Sequence, residues 1–143
     1  MIPLLFVDDD TSRLVCLHGK LREARMFDVQ VTYRPSAEAV TDADLENHVL
    51  MLDRDLCPAH YALSPHACPA PVDGKCPHGT GEDIVKRILL RPRMLGQRIL
   101  VHSLSLHANL MVKALRHSRH DVLKLPVDLW TADNLMRAIR RLP

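Results

Sequence analysis

The sequence lacks the features that mark membrane, secreted and strongly charged proteins. None of its apolar runs approaches the roughly 20 residues that a membrane span needs. Residues 1–7 have no basic region before the apolar stretch and are followed by three aspartates, so they do not form a signal peptide. The formal net charge of +2 does not by itself favour a nucleic-acid or membrane partner. We therefore expect a cytoplasmic protein.

The length and the cysteine content narrow the class further. At 143 residues, with 47% apolar residues, the chain is large enough to bury one core without covalent cross-links, so we expect a single domain over residues 1–143. In a cytoplasmic protein the four cysteines are expected to be free thiols or metal ligands rather than disulfides.

Apolar runs suited to buried strands alternate with segments of helical periodicity. Unbroken runs such as residues 49–52 are typical of parallel strands covered on both faces. The predicted strands are 2–7, 28–33, 49–52, 98–103 and 121–124. The predicted helices are about 11–25, 36–40, 81–91, 105–117 and 131–142. This alternation predicts an α/β protein with a five-stranded parallel sheet and helices on both faces.

A proline-rich segment, residues 57–78, interrupts this order and holds five of the ten prolines. We expect neither helix nor central strand there, and a connection of this length indicates either a functional loop or disorder. It carries six potential zinc ligands: Cys57, His60, His66, Cys68, Cys76 and His78. A tetrahedral Zn²⁺ needs four, for which Cys57, His60, Cys68 and Cys76 are the first choice and His66 or His78 the substitutes. The alternative is an insertion that binds nothing.

Polar groups lie at or just after the carboxyl ends of four of the five predicted strands. They are Asp8, Asp9 and Asp10 after the first, Asp53 after the third, His102 and Ser103 at the end of the fourth, and Lys124 in the fifth. Ligands of open α/β sheets bind beyond the carboxyl ends of the strands, and clustered carboxylates repel one another unless a cation lies among them. Carboxylate oxygens suit a Mg²⁺ ion that also binds phosphate, while a hydroxyl and an ammonium could hold other phosphoryl oxygens. The pattern indicates phosphoryl transfer onto an aspartate or phosphoester hydrolysis.

Several of these residues have a second interpretation. Asp10 is expected to cap the first helix, and Asp55 is either another metal ligand or a residue that caps a turn. His102 is either an interior histidine or a phosphate contact and general acid–base group. The segment Gly79-Thr80-Gly81 could bind an anion through its backbone, or could leave the loop with Thr80 as a helix cap.

The motifs resemble the receiver domain of two-component response regulators. The resemblance rests on residues 5–10, on Leu52-Asp53, on Ser103, and on Lys124 with Pro126 shortly after it. It implies a flavodoxin-like (CheY-like) three-layer sandwich with strand order 2-1-3-4-5. It also implies that Asp8 or Asp9 and Asp53 hold Mg²⁺, that Asp53 accepts phosphate, and that Ser103 and Lys124 contact the phosphate.

The sequence departs from the usual receiver pattern at two places. Receivers place proline directly after the lysine, whereas Leu125 intervenes here, and they have a short loop where this chain has residues 57–78. An atypical branch, the cyclic-phosphate-processing receivers, is similar in its acidic strand end (residues 52–56), its glycine-containing helix start (79–83) and its His102-Ser103 pair. Its usual Asn-Pro is replaced here by Ser105-Leu106.

Three functions are consistent with these residues. The first is a stand-alone receiver-like domain whose partner is a phosphodonor kinase and whose Asp53 is phosphorylated with Mg²⁺. The second is a metal-dependent enzyme that opens cyclic phosphates with Asp8, Asp9, Asp53 and His102. The third is a degenerate receiver in which a zinc-ordered loop is the interaction surface. Pairing of two copies is also open, because receivers often pair through the face that would here carry Met111, Leu115 and Trp130.

Overall fold

The computed structural model describes residues 1–61 and 67–142. Its centre is a five-stranded parallel sheet in the order β2-β1-β3-β4-β5, as the sequence predicted. The strands are β1 (Ile2–Val7), β2 (Val29–Arg34), β3 (Val49–Leu52), β4 (Arg98–Val101) and β5 (Val122–Lys124). In the register, Val7 pairs with Leu52, Leu52 with Val101, and Val101 with Lys124, so these strands end at one level.

Helices cover both faces of the sheet. They are α1 (Thr11–Glu23), α2 (Pro58–Tyr61), α3 (Gly81–Leu89), α4 (Ala108–His117) and α5 (Ala132–Arg140), with 3₁₀ turns at Asp44–Glu46 and Val127–Leu129. Leu4 and Phe6 of β1 pack on the face that α1 and α5 cover, and Leu5 and Val7 on the face of α3 and α4. Burial on both faces explains why the strands are continuous apolar runs in the sequence. Across the described ranges, no helix has both the length and the apolar character needed to cross a bilayer.

Two predicted helices differ from those observed. No helix forms over residues 36–40: the N–H of Val40 donates to the Ala37 carbonyl in a single turn, and the N–H groups of Ala37 and Glu38 donate to the carbonyl of His78 at 3.0 and 3.4 Å. The helix predicted from residue 105 begins at Ala108, since the N–H of His107 donates to the Ser105 hydroxyl in the preceding turn (3.2 Å). Leu106, which the predicted helix would include, lies before the observed helix and is 82% exposed.

The proline-rich segment is more regular than predicted. It contains the one-turn helix α2, where Pro58 occupies the first position and its missing N–H is not needed. An isolated antiparallel bridge joins Val72 to Lys75. The residues considered for pairing of two copies, Met111, Leu115 and Trp130, are all buried within the chain.

Candidate functional site

The carboxyl edge of the sheet brings together Asp8, Asp53 and His102. The strand ladder continues one residue past β3 and β4, because the N–H of Asp53 donates to the Val7 carbonyl and that of His102 to the Leu52 carbonyl, both at 3.1 Å. One ligand atom from each of the three side chains lies within 4.8 Å of the other two. All three residues are buried, so the cluster is shielded from bulk water.

A cation from the chain itself lies between the two carboxylates. Arg13, in the first turn of α1, places Nη1 3.2 Å from Asp8 Oδ2 and 3.1 Å from Asp53 Oδ2. This residue is not among those predicted from the sequence. A signal was present, because a basic residue in the first turn opposes the helix dipole and therefore needs a local reason.

The remaining carboxylate oxygens are held by backbone donors. Asp8 Oδ1 accepts from the N–H of Asp10 at 2.8 Å, and Asp53 Oδ1 accepts from the N–H of Arg54 at 2.9 Å. Asp10 is the N-cap of α1, as expected, and accepts from the N–H of Ser12. The Oδ2 atoms of Asp8 and Asp53 are thereby directed at a single cationic position.

The electrostatic balance at Asp53 favours the protonated form relative to a free aspartate. Burial raises the pKa of Asp53, and the Asp8 carboxylate raises it further, against the opposing effects of His102, Ser103 and Arg13. A carboxylate in this environment gains from any cation that approaches it.

His102 contacts Asp8 from inside the protein. Its Nε2 lies 2.8 Å from Asp8 Oδ2, and its Nδ1 is a buried polar atom without a hydrogen-bond partner among the described residues. The ring stacks on Phe6 at a centroid distance of 5.0 Å and lies 5.5 Å from Trp130. His102 is therefore fully buried, and its hydrogen-bond contact is with a carboxylate of the acidic cluster.

A cleft of about 520 Å³ opens beside Asp53. Its lining includes Arg13, Arg54, Asp55, His60, Ser103 and residues 104–107. Asp55 is engaged by Arg54, whose Nη1 lies 2.7 Å from Asp55 Oδ1. Burial lowers the pKa of His60, and its Nδ1 accepts from the N–H of Leu56 at 2.9 Å. Ser103 is buried and accepts from the N–H of Ser105 at 3.1 Å.

Two predicted site residues lie apart from the acidic cluster. The Lys124 ammonium donates to Asn109 Oδ1 at 2.6 Å, and no ion pair to Asp53 is found for it among the described residues. The extra residue Leu125 occupies the next ladder position, where its N–H donates to the Val101 carbonyl (2.9 Å). Asp9 lines a different cavity, next to Cys57 and His78.

The Gly79-Thr80-Gly81 segment begins α3. Thr80 is the N-cap, and its N–H donates to Asp83 Oδ2 at 2.8 Å in a capping box. A Cβ at Gly81 would collide with the Asp53 carbonyl oxygen and lie 2.7 Å from Met111 Cε, so only glycine fits without movement. The structure thus gives this segment a helix-start role, and none of its three residues lines the 520 Å³ cleft.

A second cluster lies in the proline-rich segment. One ligand atom each from Cys57, Cys68, Cys76 and His78 lies within 4.8 Å of all the others. Three members of the first-choice set meet here, but His78 takes the place assigned to His60. The other substitute, His66, is outside the described residues. Burial raises the pKa of the Cys57 thiol to about 12, with hydrogen bonds from Cys76 and Cys68 adding to the effect.

No protein-family model and no curated protein matches this chain. Among solved structures, it is similar to the non-phosphorylated HemR receiver domain from Leptospira biflexa, with 14% identity, a TM-score of 0.63, and 99% of this chain and 94% of that one covered. It is also similar to a CheY-like response-regulator receiver domain from Methanospirillum hungatei, with 18% identity, a TM-score of 0.60 and coverages of 99% and 92%. A third, a CheY-like receiver domain from Methylobacillus flagellatus, has 16% identity, a TM-score of 0.59 and coverages of 97% and 98%. The chain therefore has the receiver-domain fold, as the sequence resemblance implied.

Proposed function

We propose that this chain is a receiver-like domain of a phosphorelay, in which Asp53 accepts a phosphoryl group with the help of Mg²⁺. The observation that carries the proposal is the convergence of Asp8 Oδ2 and Asp53 Oδ2 on one cationic position at the carboxyl edge of a receiver fold. In sheets of this type that edge is the ligand-binding side.

The donor set fits a magnesium ion. Two buried carboxylates present one oxygen each to a common point, which Arg13 Nη1 occupies as a stand-in cation. Asp8 and Asp53 would hold the ion, which then supplies neutralisation of charge on the phosphoryl oxygens. Arg13 would have to withdraw from at least one carboxylate, and the adjoining cleft gives its side chain room to do so.

The chain's own groups account for the remaining requirements. A carboxylate oxygen of Asp53 attacks the phosphorus of the donor, an O–P bond forms, and the bond from phosphorus to the leaving group breaks with its electron pair on the donor. Burial, which raises the pKa of Asp53, makes the carboxylate a better nucleophile once it is ionised. Ser103 and Arg54 line the cleft beside Asp53 and would lie near the transferred group, whereas Lys124 donates to Asn109.

The test is incubation with acetyl phosphate and Mg²⁺, followed by intact-mass measurement. We expect one phosphoryl group on the wild type and none on Asp53→Asn. Asp42→Asn is the matched control, because the Asp42 side chain is 87% exposed and pairs with Arg87 far from the cluster. Absence of the adduct from the folded wild type, or its persistence in Asp53→Asn, would contradict the proposal.

A second candidate is the opening of a cyclic phosphate. It is favoured by the size of the cleft, about 520 Å³, and by the Arg13, Arg54, His60 and His107 side chains in its lining, which suit an anion larger than a phosphoryl group. Water would add to phosphorus while one P–O ester bond breaks, with the proton passing to the departing oxygen. Cyclic nucleotides and 2′,3′-cyclic phosphates should be screened with Mg²⁺ and Mn²⁺, and absence of turnover would exclude this candidate.

A further inference from the structure

The proline-rich segment converges on four soft metal ligands. The Sγ of Cys76 lies 3.2 Å and the Sγ of Cys68 lies 3.5 Å from His78 Nδ1, and the Sγ of Cys57 completes a group whose atoms are all within 4.8 Å of one another. In a tetrahedral zinc site, ligand atoms about 2.0–2.3 Å from the metal lie roughly 3.3–3.8 Å apart. The observed spacing is close to that required.

We propose that Cys57, Cys68, Cys76 and His78 bind one structural Zn²⁺ ion. Three thiolates and one imidazole are a ligand set of closed, structural zinc sites, which leave no position open for substrate. This inference goes beyond the proposed phosphoryl chemistry and does not depend on it.

The packing of the segment explains why it needs a metal. Among the described residues of the segment, the apolar cluster consists of Cys57, Ala59 and Cys68, with Ala67 and Cys76 packed against them. All five are small side chains, and three of them are the proposed ligands. The small side chains of this cluster bury little apolar surface, and metal binding would contribute directly to the folding of the segment.

The site joins the two ends of the insertion to the body of the domain. Cys57 follows β3 after only four residues, and His78 lies three residues before α3. The His78 carbonyl accepts from the N–H groups of Ala37 and Glu38 at 3.0 and 3.4 Å, which ties the ligand to the loop after β2. A metal at this point therefore fixes α2, whose His60 lines the cleft beside Asp53.

A disulfide is the main competing explanation for closely placed cysteines. All four cysteines in the structure are free. A disulfide between two cysteines of the cluster would not explain why the third cysteine and His78 lie beside them. Zinc uses all four groups at once. Zinc binding predicts four titratable thiols and one metal ion per chain, whereas a disulfide predicts two titratable thiols and no metal.

Metal analysis of the purified chain is the first experiment. We expect about one zinc per chain, and release of that zinc when a mercurial reagent titrates the thiols of the wild type in the presence of a chromogenic zinc indicator. Replacement by Co²⁺ should give the intense visible absorption of tetrahedral thiolate coordination. These readouts use the wild type, so they do not depend on whether a variant folds.

Matched variants then identify the ligands. Cys76→Ser and His78→Ala should lose most of the zinc, whereas Cys16→Ser should retain it, because Cys16 lies on α1 in the other core. His60→Ala should also retain zinc, since His60 Nδ1 is bonded to the backbone of Leu56. The proposal would be overturned if the wild type had four titratable thiols but bound neither Zn²⁺ nor Co²⁺. It would also be overturned by a disulfide within the cluster. Loss of zinc from His60→Ala together with its retention in His78→Ala would likewise contradict the assigned ligands.

Discussion

Arg13 Nη1 lies 3.1 Å from Asp53 Oδ2, and this ion pair places the chain's own cation against its candidate phosphoacceptor. The same nitrogen lies 3.2 Å from Asp8 Oδ2. Any metal ion held by the two carboxylates must therefore compete with a guanidinium group that is permanently charged. Metal affinity at this site is set by that competition as well as by the carboxylates.

Removing the guanidinium should strengthen magnesium binding. Arg13→Gln eliminates the competing charge, so we expect the affinity for Mg²⁺ to rise on the order of tenfold, which corresponds to about 1.4 kcal/mol. Trp130, the only tryptophan, reports the change by fluorescence because its ring lies 5.5 Å from that of His102, which contacts Asp8. Arg22→Gln, at an exposed position of the same helix, should leave the affinity unchanged. Weaker binding by Arg13→Gln would show that the guanidinium assists the metal.

Truncation of His102 should destabilise the fold. Its Nε2 is 2.8 Å from Asp8 Oδ2 and both side chains are fully buried, so His102→Ala leaves a buried carboxylate short of a partner. Because Asp8 keeps its contacts with Arg13 and the Asp10 N–H, the expected loss in the free energy of unfolding is about 1–3 kcal/mol, measured by urea denaturation. His18→Ala, at an exposed position, should change it by less than about 0.5 kcal/mol. A loss below about 1 kcal/mol in His102→Ala would argue against a stabilising role for this contact.

Two glycine substitutions should have opposite signs. Gly81→Ala places a methyl group 2.7 Å from Met111 Cε and against the Asp53 carbonyl, so we expect destabilisation of about 1–3 kcal/mol. Gly19 is inside α1, and nothing lies within 4 Å of the position that an alanine methyl group would take, so Gly19→Ala should stabilise by about 0.5–1 kcal/mol through helix propensity. Thermal or urea unfolding of both variants tests the pair. Equal effects of the two substitutions would contradict the close approach at Gly81.

The contribution of Asp44 should disappear in acid. Although burial raises the pKa of Asp44, the hydrogen bonds from Arg34 and Thr41 outweigh it, and the pKa lies below its ordinary value of 3.8. Arg34 Nε and Nη2 donate to the two carboxylate oxygens at 2.8 and 3.1 Å. A depressed folded-state pKa means that the stabilisation is complete above the ordinary pKa and is lost as the pH falls through the folded-state value.

For this reason Asp44→Asn should cost roughly 1–3 kcal/mol at pH 7, and progressively less below about pH 4. Urea denaturation across this range measures the difference between wild type and variant. Asp133→Asn, at a side chain that is 60% exposed, should change the free energy of unfolding very little at any pH in this range. A cost for Asp44→Asn that does not change with pH would show that the carboxylate charge is not its source.

Local patterns were enough to predict most of the architecture. The continuous apolar runs that end at Val7 and Leu52 indicate strands buried on both faces of a sheet. This pattern can be recognised in each strand without knowledge of the others. Asp8 and Asp53 follow those runs, so their position at one edge of the sheet follows from parallel strands, and their contact follows from the pairing of β1 with β3. Local patterns did not predict the structure of residues 36–40, which form a turn whose Ala37 and Glu38 N–H groups donate to the distant His78 carbonyl.

The sequence by itself therefore determined the parallel α/β class, the acidic groups at the strand ends and a cysteine–histidine segment, because these depend on periodicity and on residue type, whereas the strand order was implied by the resemblance to receivers. Tertiary structure decided which side chains meet: Arg13 with Asp53, His102 with Asp8, Lys124 with Asn109, and His78 rather than His60 with the three cysteines. Such contacts depend on register and on side-chain direction between separate elements. Leu125, between Lys124 and Pro126, continues the hydrogen-bond ladder of β5 by donating its N–H to the Val101 carbonyl. The residues next to it in the sequence do not reveal this hydrogen bond.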